Sequence, residues 1–414
     1  MKLNCNNLRA GAYERLIKTV NLLMKFRRRS LFLAVVMPAF GWAVYAPIPE
    51  QEQGKALTYR LGSAIYQDSN IFGGATGEIS SLVYNFNGAL AYNGSLSDQT
   101  FASAAYELNN DHIVDRPGQQ NLTSHSLNAR LAHAFSPATS LDVAGAYNIA
   151  KNPQSLLAGV PLNTDQSNDR GQLDLRFVTA ASQKMSVAAK YRLITYRYDN
   201  PTLAADLDRT ENLFGGEWGY ALLPETKLLA EYRYQAIGYR SAAIFKDKTS
   251  HFLLAGLDYN PSEKTMLAGR VGGEARNRSA APDTTSPYVE LSARYTYAEG
   301  SFLASGYTYT LEEPSDVNRF TDSKVNRIFV NLQHRLSGLL TAAGSLSYEP
   351  SELQGRGRQM NVAEKTTRLG LGLSWQPTKN WTANLSGDLD RVNSEDASRG
   401  QSRNRYGLSA RYTF

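Results

Sequence analysis

The chain has 414 residues, with 44 Lys and Arg against 38 Asp and Glu, and a mean hydropathy of -0.40. This polar composition excludes a helical membrane protein, because only one apolar run, near the start, approaches the length of a membrane helix. The net charge of +6 is spread along the chain without a block of like charges, so we expect no nucleic-acid partner.

The N-terminal segment has the features of a secretory signal peptide. A basic region at 25–29 precedes an apolar core at 31–40, and Ala46 ends a plausible cleavage site. We therefore expect a signal peptide at 1–46, followed by a short periplasmic leader at 47–56.

The basic region begins unusually far from the first residue. Either the signal peptide has an extended N-terminal region, or translation begins at Met24. The single cysteine, Cys5, lies in the segment that cleavage would remove. We therefore expect a mature chain without disulfides or cysteine-bound metal, as suits an oxidising envelope compartment.

From residue 57 onward, apolar and polar side chains alternate. Leu57, Tyr59 and Leu61 alternate with polar Thr58 and Arg60 in the first segment, and similar segments follow along the whole chain. A two-residue period places alternate side chains on opposite faces of a strand. The sequence thus predicts a series of strands, each of about ten to thirteen residues. At 193–194 the alternation slips, which indicates a bulge.

Short polar turns and long connections follow one another in strict alternation. The short turns fall at 94–98, 136–139, 181–184, 223–226, 261–264, 299–300, 337–338 and 377–380. The long connections fall at 68–77, 109–122, 151–168, 199–210, 241–248, 277–284, 312–322, 350–364 and 393–402. Nine long and eight short connections imply about eighteen strands, with both termini on the short-turn side. The period of about 40 residues also suits a propeller blade, but only two strands fit in each period.

The two faces of these strands differ sharply in polarity. Leu369, Leu371 and Leu373 share one face, while Arg368 lies on the other. A lysine or arginine facing lipid at mid-bilayer costs roughly 2 to 4 kcal/mol, so the charges should point inward. We therefore predict an all-β protein, a single transmembrane antiparallel β-barrel spanning 57–414, in the bacterial outer membrane.

The last strand carries the same pattern to the end of the chain. Tyr406, Leu408 and Phe414 share its apolar face, and Arg405 and Arg411 lie on its polar face. This segment resembles the terminal strand, ending in Phe, by which bacterial outer-membrane barrels are recognised for insertion. The resemblance implies that the barrel-insertion machinery is a partner, along with outer-membrane lipid.

Inward positions carry more cations than anions, which predicts a lumen that favours anionic solutes. Alternatively, the arginines form ladders with carboxylates that only satisfy one another. The candidate lumen or solute-binding residues are Arg60, Arg130, Arg176, Arg192, Arg233, Arg270, Arg294, Arg327, Arg368 and Arg405.

Catalytic motifs are absent from the sequence. The five histidines are scattered, and none belongs to a recognised nucleophile or metal motif. Two carboxylate pairs, Asp388 with Asp390 and Glu217 with Glu231, could be nominated for glycoside cleavage, but that chemistry requires a set separation. We therefore expect no enzyme activity, no cofactor and no metal.

One short stretch resembles a known family. Residues 66–72, Tyr-Gln-Asp-Ser-Asn-Ile-Phe, are similar to the Asp-x-Asn-hydrophobic-Phe signature of outer-membrane β-barrels encoded in exopolysaccharide operons, the EpsL-like family. The matching residues are Asp68, Asn70 and Phe72, and Gln67 stands where the family often has an acid. The resemblance implies export of a newly made polysaccharide across the outer membrane.

We therefore predict an exopolysaccharide export pore, with the polymer and envelope-spanning export proteins as partners. One alternative is a general or anion-selective porin for small solutes, and another is a barrel hydrolase or lipid-modifying enzyme. An inward-folded long loop, such as 151–168, would favour a constricted or gated pore. A cluster of Ser, His and an acid at one bilayer interface would favour the enzyme.

Overall fold

A computed structural model gives the fold of the chain and describes residues 56–159, 164–240 and 245–414. The predicted signal peptide, 1–46, lies outside the described residues, as does the predicted leader up to residue 55. Elements and contacts below refer to the described residues.

Eighteen antiparallel strands form one continuous sheet in which sequential strands are neighbours. This number and the up-and-down order confirm the predicted barrel. The strands are β1 (Leu57–Asp68), β2 (Ser81–Ser97), β3 (Thr100–Ile113), β4 (Asn121–Ser136), β5 (Thr139–Ala150), β6 (Asn168–Ala180), β7 (Met185–Tyr198), β8 (Arg209–Leu223), β9 (Thr226–Tyr239), β10 (Lys248–Ser262), β11 (Thr265–Arg278), β12 (Thr284–Ala298), β13 (Ser301–Glu312), β14 (Phe320–Arg335), β15 (Leu340–Gly355), β16 (Val362–Trp375), β17 (Trp381–Ser394) and β18 (Gln401–Thr413).

The sheet closes by pairing its first and last strands. β1 and β18 run antiparallel in register from Arg60 opposite Thr413 to Asp68 opposite Arg405. The backbone N–H of Phe414 also donates to the carbonyl of Tyr59 at 2.9 Å. Closure leaves no unpaired sheet edge, which a strand structure needs if it is to span lipid.

Helical structure is confined to the long-loop end. One helix, α1 (Pro201–Leu207), lies between β7 and β8, and a 3₁₀ turn at Ala397–Arg399 lies between β17 and β18. Asn200 caps α1, since its side chain accepts hydrogen bonds from the backbone N–H groups of Thr202 and Leu203. No helix in the described part of the chain is long and apolar enough to cross a membrane.

The outer surface of the barrel is apolar. Leu253, Leu371 and Leu408 are 73%, 58% and 59% exposed, and exposed Leu, Tyr, Phe and Val side chains recur at alternate positions on most strands. An apolar band of this extent around a closed barrel is stable only in contact with lipid. The protein is therefore a bacterial outer-membrane barrel. Because short turns face the periplasm in such barrels, the long loops lie outside the cell.

Aromatic side chains gather on this surface at the short-turn end. The rings of Trp381 and Tyr412 lie 5.1 Å apart, and those of Tyr412 and Phe414 lie 4.7 Å apart. Trp375, which ends β16, is 52% exposed. Amphipathic rings at this level form the girdle expected where a barrel meets the polar headgroups.

Two details differ from the sequence-based expectations. The strands are longer than predicted, because β3 continues to Ile113 and β15 to Gly355, so that pairing between neighbours continues into the segments predicted as loops. The predicted bulge near Leu193 and Ile194 is wrong, since β7 pairs in unbroken register with both neighbours. The pattern slips there only because Ile194, an inward residue, is apolar and is 3% exposed.

Candidate functional site

The inner wall of the barrel is the candidate site. On each strand, the arginines identified from the sequence alternate with the exposed apolar residues and therefore face the lumen. The ten arginines predicted to face the lumen do so, and they are Arg60, Arg130, Arg176, Arg192, Arg233, Arg270, Arg294, Arg327, Arg368 and Arg405.

A network of ion pairs covers the wall from β7 to β11. Lys190 Nζ lies 2.7 Å from Glu217 and 3.1 Å from Glu231. Arg233 donates to Glu231 at 3.0 Å, and Arg270 pairs with Asp258 at 2.8 Å. These charges neutralise one another in place, so this part of the wall is structural and not an open anion site.

The carboxylate pairs nominated for glycoside cleavage belong to such networks. Glu217 and Glu231 lie directly opposite each other on β8 and β9, and Lys190 bridges them. Asp388 and Asp390 each lie 3.9 Å from the guanidinium of Arg405. Both pairs therefore have cationic partners and belong to the ion-pair networks of the wall.

Further lumen arginines are paired in the same way. Arg130 donates to Asp142 at 3.0 Å, and Arg192 pairs with Asp174. In addition, Arg327 bridges Glu312 at 2.9 Å and Glu349 at 2.6 Å, and Arg368 lies 4.0 Å from Asp390.

Three of the ten behave differently. Arg60, Arg176 and Arg294 form no ion pair within the described ranges. Arg294 instead lies over the ring of Phe302, 4.0 Å from its centroid. The sequence identified the direction in which these side chains point, but it did not separate paired from unpaired arginines.

A second part of the wall, from β2 to β5, carries neutral polar groups beside charged ones such as Asp111, which accepts a hydrogen bond from Asn85 at 2.8 Å. Asn87 donates to Asn85 at 2.8 Å, and Ser126 donates to Asn148 at 2.7 Å. Asn128 in turn donates to Ser126 at 3.2 Å. Sequence reasoning did not single out this amide wall, although the spacing of Asn85 and Asn87 on β2 was the available signal. Amides and hydroxyls present both donors and acceptors to a solute.

The motif that carries the family resemblance begins where β1 ends. Asp68 accepts a hydrogen bond from the backbone N–H of Asn70 at 3.0 Å, which makes the local turn. The Asn70 amide donates to the carbonyls of Gly74 at 2.9 Å and Ser402 at 3.1 Å, and so ties this loop to β18. Phe72 packs with buried apolar residues that include Val83.

Asp68 also holds an arginine that the sequence analysis did not identify. Arg403 donates to Asp68 through Nε at 3.0 Å, and both side chains are 1% exposed. The same guanidinium donates to the carbonyls of Pro153 at 3.2 Å and Gln154 at 3.0 Å. The motif therefore anchors the long loop between β5 and β6.

That loop crosses the mouth of the barrel. Ser315, between β13 and β14, donates to the carbonyl of Ala158 at 2.8 Å. The two loops start from β5 and β13, eight strands apart in a sheet of eighteen, so they arise on nearly opposite sides of the lumen. The inward fold of this loop is the feature expected of a constricted or gated pore.

Apolar packing reinforces this contact. Val317 is 2% exposed and packs with Leu203 and Leu207 of α1, and Leu157 packs against the same cluster. Asn318 donates to Asp206 at 2.8 Å. We call the joined loops 151–159, 199–208 and 313–319 the loop cap. The cap thus joins loops from nearly opposite sides of the barrel at its outer mouth.

Ion pairs fasten the cap to the wall. Glu313 accepts hydrogen bonds from Lys248 at 2.8 Å and Arg276 at 3.3 Å. Burial raises the pKa of Glu313, but these two cations outweigh burial and hold it below its ordinary value. Hydrogen bonds from Ser398 and Arg319 lower the pKa of Asp396, on the neighbouring loop 395–400, to about 2.

Three of the histidines bond to hydroxyl groups on neighbouring strands. His125 and His251 hydrogen-bond to the hydroxyls of Tyr106 at 2.8 Å and Tyr232 at 2.7 Å on the outer surface. His133 bonds to Thr100 at 2.8 Å. Among the described residues, no group of three or more His, Cys, Asp and Glu side chains could hold a metal ion. The cluster of Ser, His and acid that would favour an enzyme is not formed by these side chains.

Comparison with known proteins gives similarity at the level of structure alone. No family model and no curated protein matches the chain. The Acinetobacter baumannii protein OccAB4 is 11% identical, with 87% of this chain and 99% of that chain covered at a TM-score of 0.45. OpdK of Pseudomonas aeruginosa, solved with vanillate, is 10% identical, with 86% and 98% covered at 0.44. The siderophore receptor PirA of Pseudomonas aeruginosa is 12% identical, with 86% and 80% covered at 0.41. Identities this low transfer no ligand from those proteins to this chain.

Proposed function

We propose that the protein is an outer-membrane pore for the export of an exopolysaccharide. The observation that carries the proposal is the amide wall formed by Asn85, Asn87, Ser126, Asn128 and Asn148. Sugar hydroxyls both donate and accept hydrogen bonds, and this wall offers both kinds of partner along the lumen. The EpsL-like motif at 66–72 supports the same function, because it resembles barrels encoded with polysaccharide synthesis.

The loop cap supports export over the passage of small solutes in general. A general porin needs a lumen that is open at rest, whereas loops from opposite sides of this barrel meet over the outer mouth. A polymer driven from the periplasm reaches the cap from inside and can displace the loops. The cap would thus limit leakage when no polymer is present.

Partners follow from this proposal. The periplasmic side of the barrel consists of short turns, and envelope-spanning export proteins would deliver the polymer there. The terminal strand ending at Phe414 would be recognised by the barrel-insertion machinery. Transport itself would be passive, without a catalytic residue or a cofactor.

An anion-selective pore for small solutes is the second candidate. The lumen arginines that lack a carboxylate partner among the described residues, such as Arg60 and Arg294, favour it. Planar-bilayer recordings separate the two. A general small-solute pore predicts a large steady current at rest, whereas a capped export pore predicts a small current.

Deletion of the chain tests the proposed function directly. Extracellular and cell-bound polysaccharide are fractionated and measured in the deletion strain and in a complemented strain. The proposal predicts loss of extracellular polymer, restored by the wild-type chain. Unchanged secretion in the deletion strain would contradict export.

Locking the loop cap gives a sharper version of this test. The double variant A158C/S315C places two thiols where the loops touch, and a short bis-maleimide can join them. Cross-linking should stop secretion in cells that carry the double variant. Each single variant, treated with the same reagent, is the matched control and should secrete normally.

A further inference from the structure

The lumen-facing arginines fall into two groups that differ in pairing. Those with carboxylate partners occur along the whole wall, and they include Arg233 and Arg327 inside their strands and Arg335 at the short-turn end of β14. Four others, counting Arg411 on β18, have no ion pair in the described part of the chain. These unpaired arginines are Arg60, Arg176, Arg294 and Arg411.

All four lie near the periplasmic end of the barrel. Arg60 follows closely on Leu57, where β1 begins, and Arg411 comes just before the end of β18. Arg176 and Arg294 are close to the short-turn ends of β6 and β12. The unpaired positive charge is therefore concentrated at the mouth through which a periplasmic polymer would enter.

The four arginines are also distributed around the opening. Five strand steps separate β1 from β6, six separate β6 from β12, and six separate β12 from β18, which pairs with β1. The arginines thus occupy three places at similar intervals around the barrel. We call Arg60, Arg176, Arg294 and Arg411 the arginine ring.

Like charges stand next to one another within the ring. Arg60 lies opposite Thr413, so Arg411 is its diagonal neighbour on the same face of the sheet. Arg411 Nε is buried and has no hydrogen-bond partner. This arrangement is unfavourable for the empty barrel, and a bound anion would relieve it.

Arg176 has a similar environment. It lies opposite Asp142 on β5, but Arg130 already engages that carboxylate at 3.0 Å. On its other side it lies opposite Lys190, another cation. Arg176 and Arg294 are both exposed to the lumen, and Phe302 holds the Arg294 guanidinium in place.

We propose that the arginine ring binds the carboxylates of an acidic polysaccharide as the chain enters from the periplasm. The inference rests on the proposed export function and adds the class of polymer. A guanidinium matches a carboxylate through two parallel hydrogen bonds, and arginines at several places can engage successive acidic sugars. The amide wall above the ring then accepts the sugar hydroxyls.

Binding to the purified full-length barrel in detergent tests the ring. Isothermal titration with an oligogalacturonate compares the wild type with the triple variant R60Q/R176Q/R294Q. We expect the triple variant to bind at least about tenfold more weakly, since each lost charge-assisted contact alone is sufficient for such a change. Binding to the wild type should weaken as salt is added.

The matched control is K184Q/K264Q/K379Q. These lysines lie in short turns at the same end of the barrel, so this variant loses the same three charges outside the lumen. The control should bind like the wild type. If binding weakened equally in both variants, net charge would explain the binding and the proposed role of the arginine ring would be wrong. Unchanged binding in both variants would also contradict that role.

Two further measurements keep the result interpretable. R60K/R176K/R294K keeps the charge but loses the planar fork, so it should bind between the wild type and the glutamine variant if the barrel is intact. A neutral maltooligosaccharide of equal length should show no dependence on the ring. A carboxylate site would be refuted if the maltooligosaccharide bound the wild type as tightly as the acidic probe and its binding were equally weakened in R60Q/R176Q/R294Q.

Secretion separates this inference from the proposed function. If deletion abolishes secretion but R60Q/R176Q/R294Q binds the oligogalacturonate normally, the export function is supported and the carboxylate-binding role of the arginine ring is refuted. If deletion leaves secretion unchanged, export fails, whatever the titration shows.

Discussion

The contact between Arg403 and Asp68 fixes three segments through one guanidinium. Arg403 belongs to β18, Asp68 ends β1, and the carbonyls of Pro153 and Gln154 belong to the loop between β5 and β6. Both charged side chains are almost fully buried. Removing one partner of such a pair leaves the other charge unsatisfied, which costs more than the pair itself is worth.

Replacement of this arginine should therefore destabilise the barrel strongly. We expect R403A to lower the free energy of unfolding by about 3 to 5 kcal/mol, measured by urea unfolding of the barrel in lipid vesicles. The double variant D68A/R403A should lose less than R403A, because it removes the unpaired carboxylate too. Arg391, an exposed residue of β17, provides the control R391A, and equal losses in R403A and R391A would contradict the assigned role.

At the scale of single residues, the sequence predicts which way a side chain points better than it predicts which residue that side chain pairs with. Alternation along a strand determines that Arg233 and Arg294 both point inward. Whether each has a partner depends on the register between neighbouring strands and on loops that fold back, and neither follows from a strand's own pattern. Arg403 was missed for this reason, since its role depends on Asp68, far away in the sequence.

Among the elements, the long loops differ most from ordinary surface connections. The β13–β14 loop turns inward, and Glu313 at its start contacts Lys248 and Arg276 on the wall. Its central residue Val317 is buried against α1. Ion pairs and apolar contacts both hold this loop in place. We therefore expect the loop to open only when one of these two kinds of contact is lost.

Acid should open the loop cap. Because the pKa of Glu313 is lowered in the folded barrel, its stabilising contribution is complete above about pH 4.3, the ordinary pKa of glutamate, and disappears as the pH falls through the lower folded value. Planar-bilayer current should therefore stay small from neutral pH to about that point and rise at lower pH.

A substitution should reproduce this effect at neutral pH. E313Q removes the charge that Lys248 and Arg276 share, so we expect a current several-fold above that of the wild type at pH 7. Asp115, an exposed loop carboxylate, supplies the control D115N, which should leave the current unchanged. A wild-type current in E313Q would show that Glu313 does not hold the cap.

For the whole molecule, the barrel follows closely from the sequence because lipid imposes one rule on every strand. Charged side chains must face inward, so alternation, turn spacing and the number of connections together determine the strand count and the closing pair. The cap does not follow, because loop contacts such as Ser315 with Ala158 join residues whose proximity exists only after the barrel has closed.

The end of the chain gives a prediction about assembly. Phe414 is 51% exposed and packs edge-on against Tyr412, while its backbone contributes the last hydrogen bond to β1. We propose that the exposed ring is the feature that the insertion machinery recognises. F414A keeps the backbone bond and removes only a half-exposed ring, so the unfolding free energy of the purified barrel should change little.

The amount of folded barrel in outer-membrane fractions should nevertheless fall several-fold in F414A, as followed by the heat-dependent gel mobility of folded barrels. F135A is the matched control, because Phe135 is a similarly exposed aromatic residue at the short-turn end of β4. Recognition of the chain end predicts a loss in F414A alone. Equal losses in both variants would instead assign the effect to the aromatic girdle, since Phe135 lies far from the chain terminus.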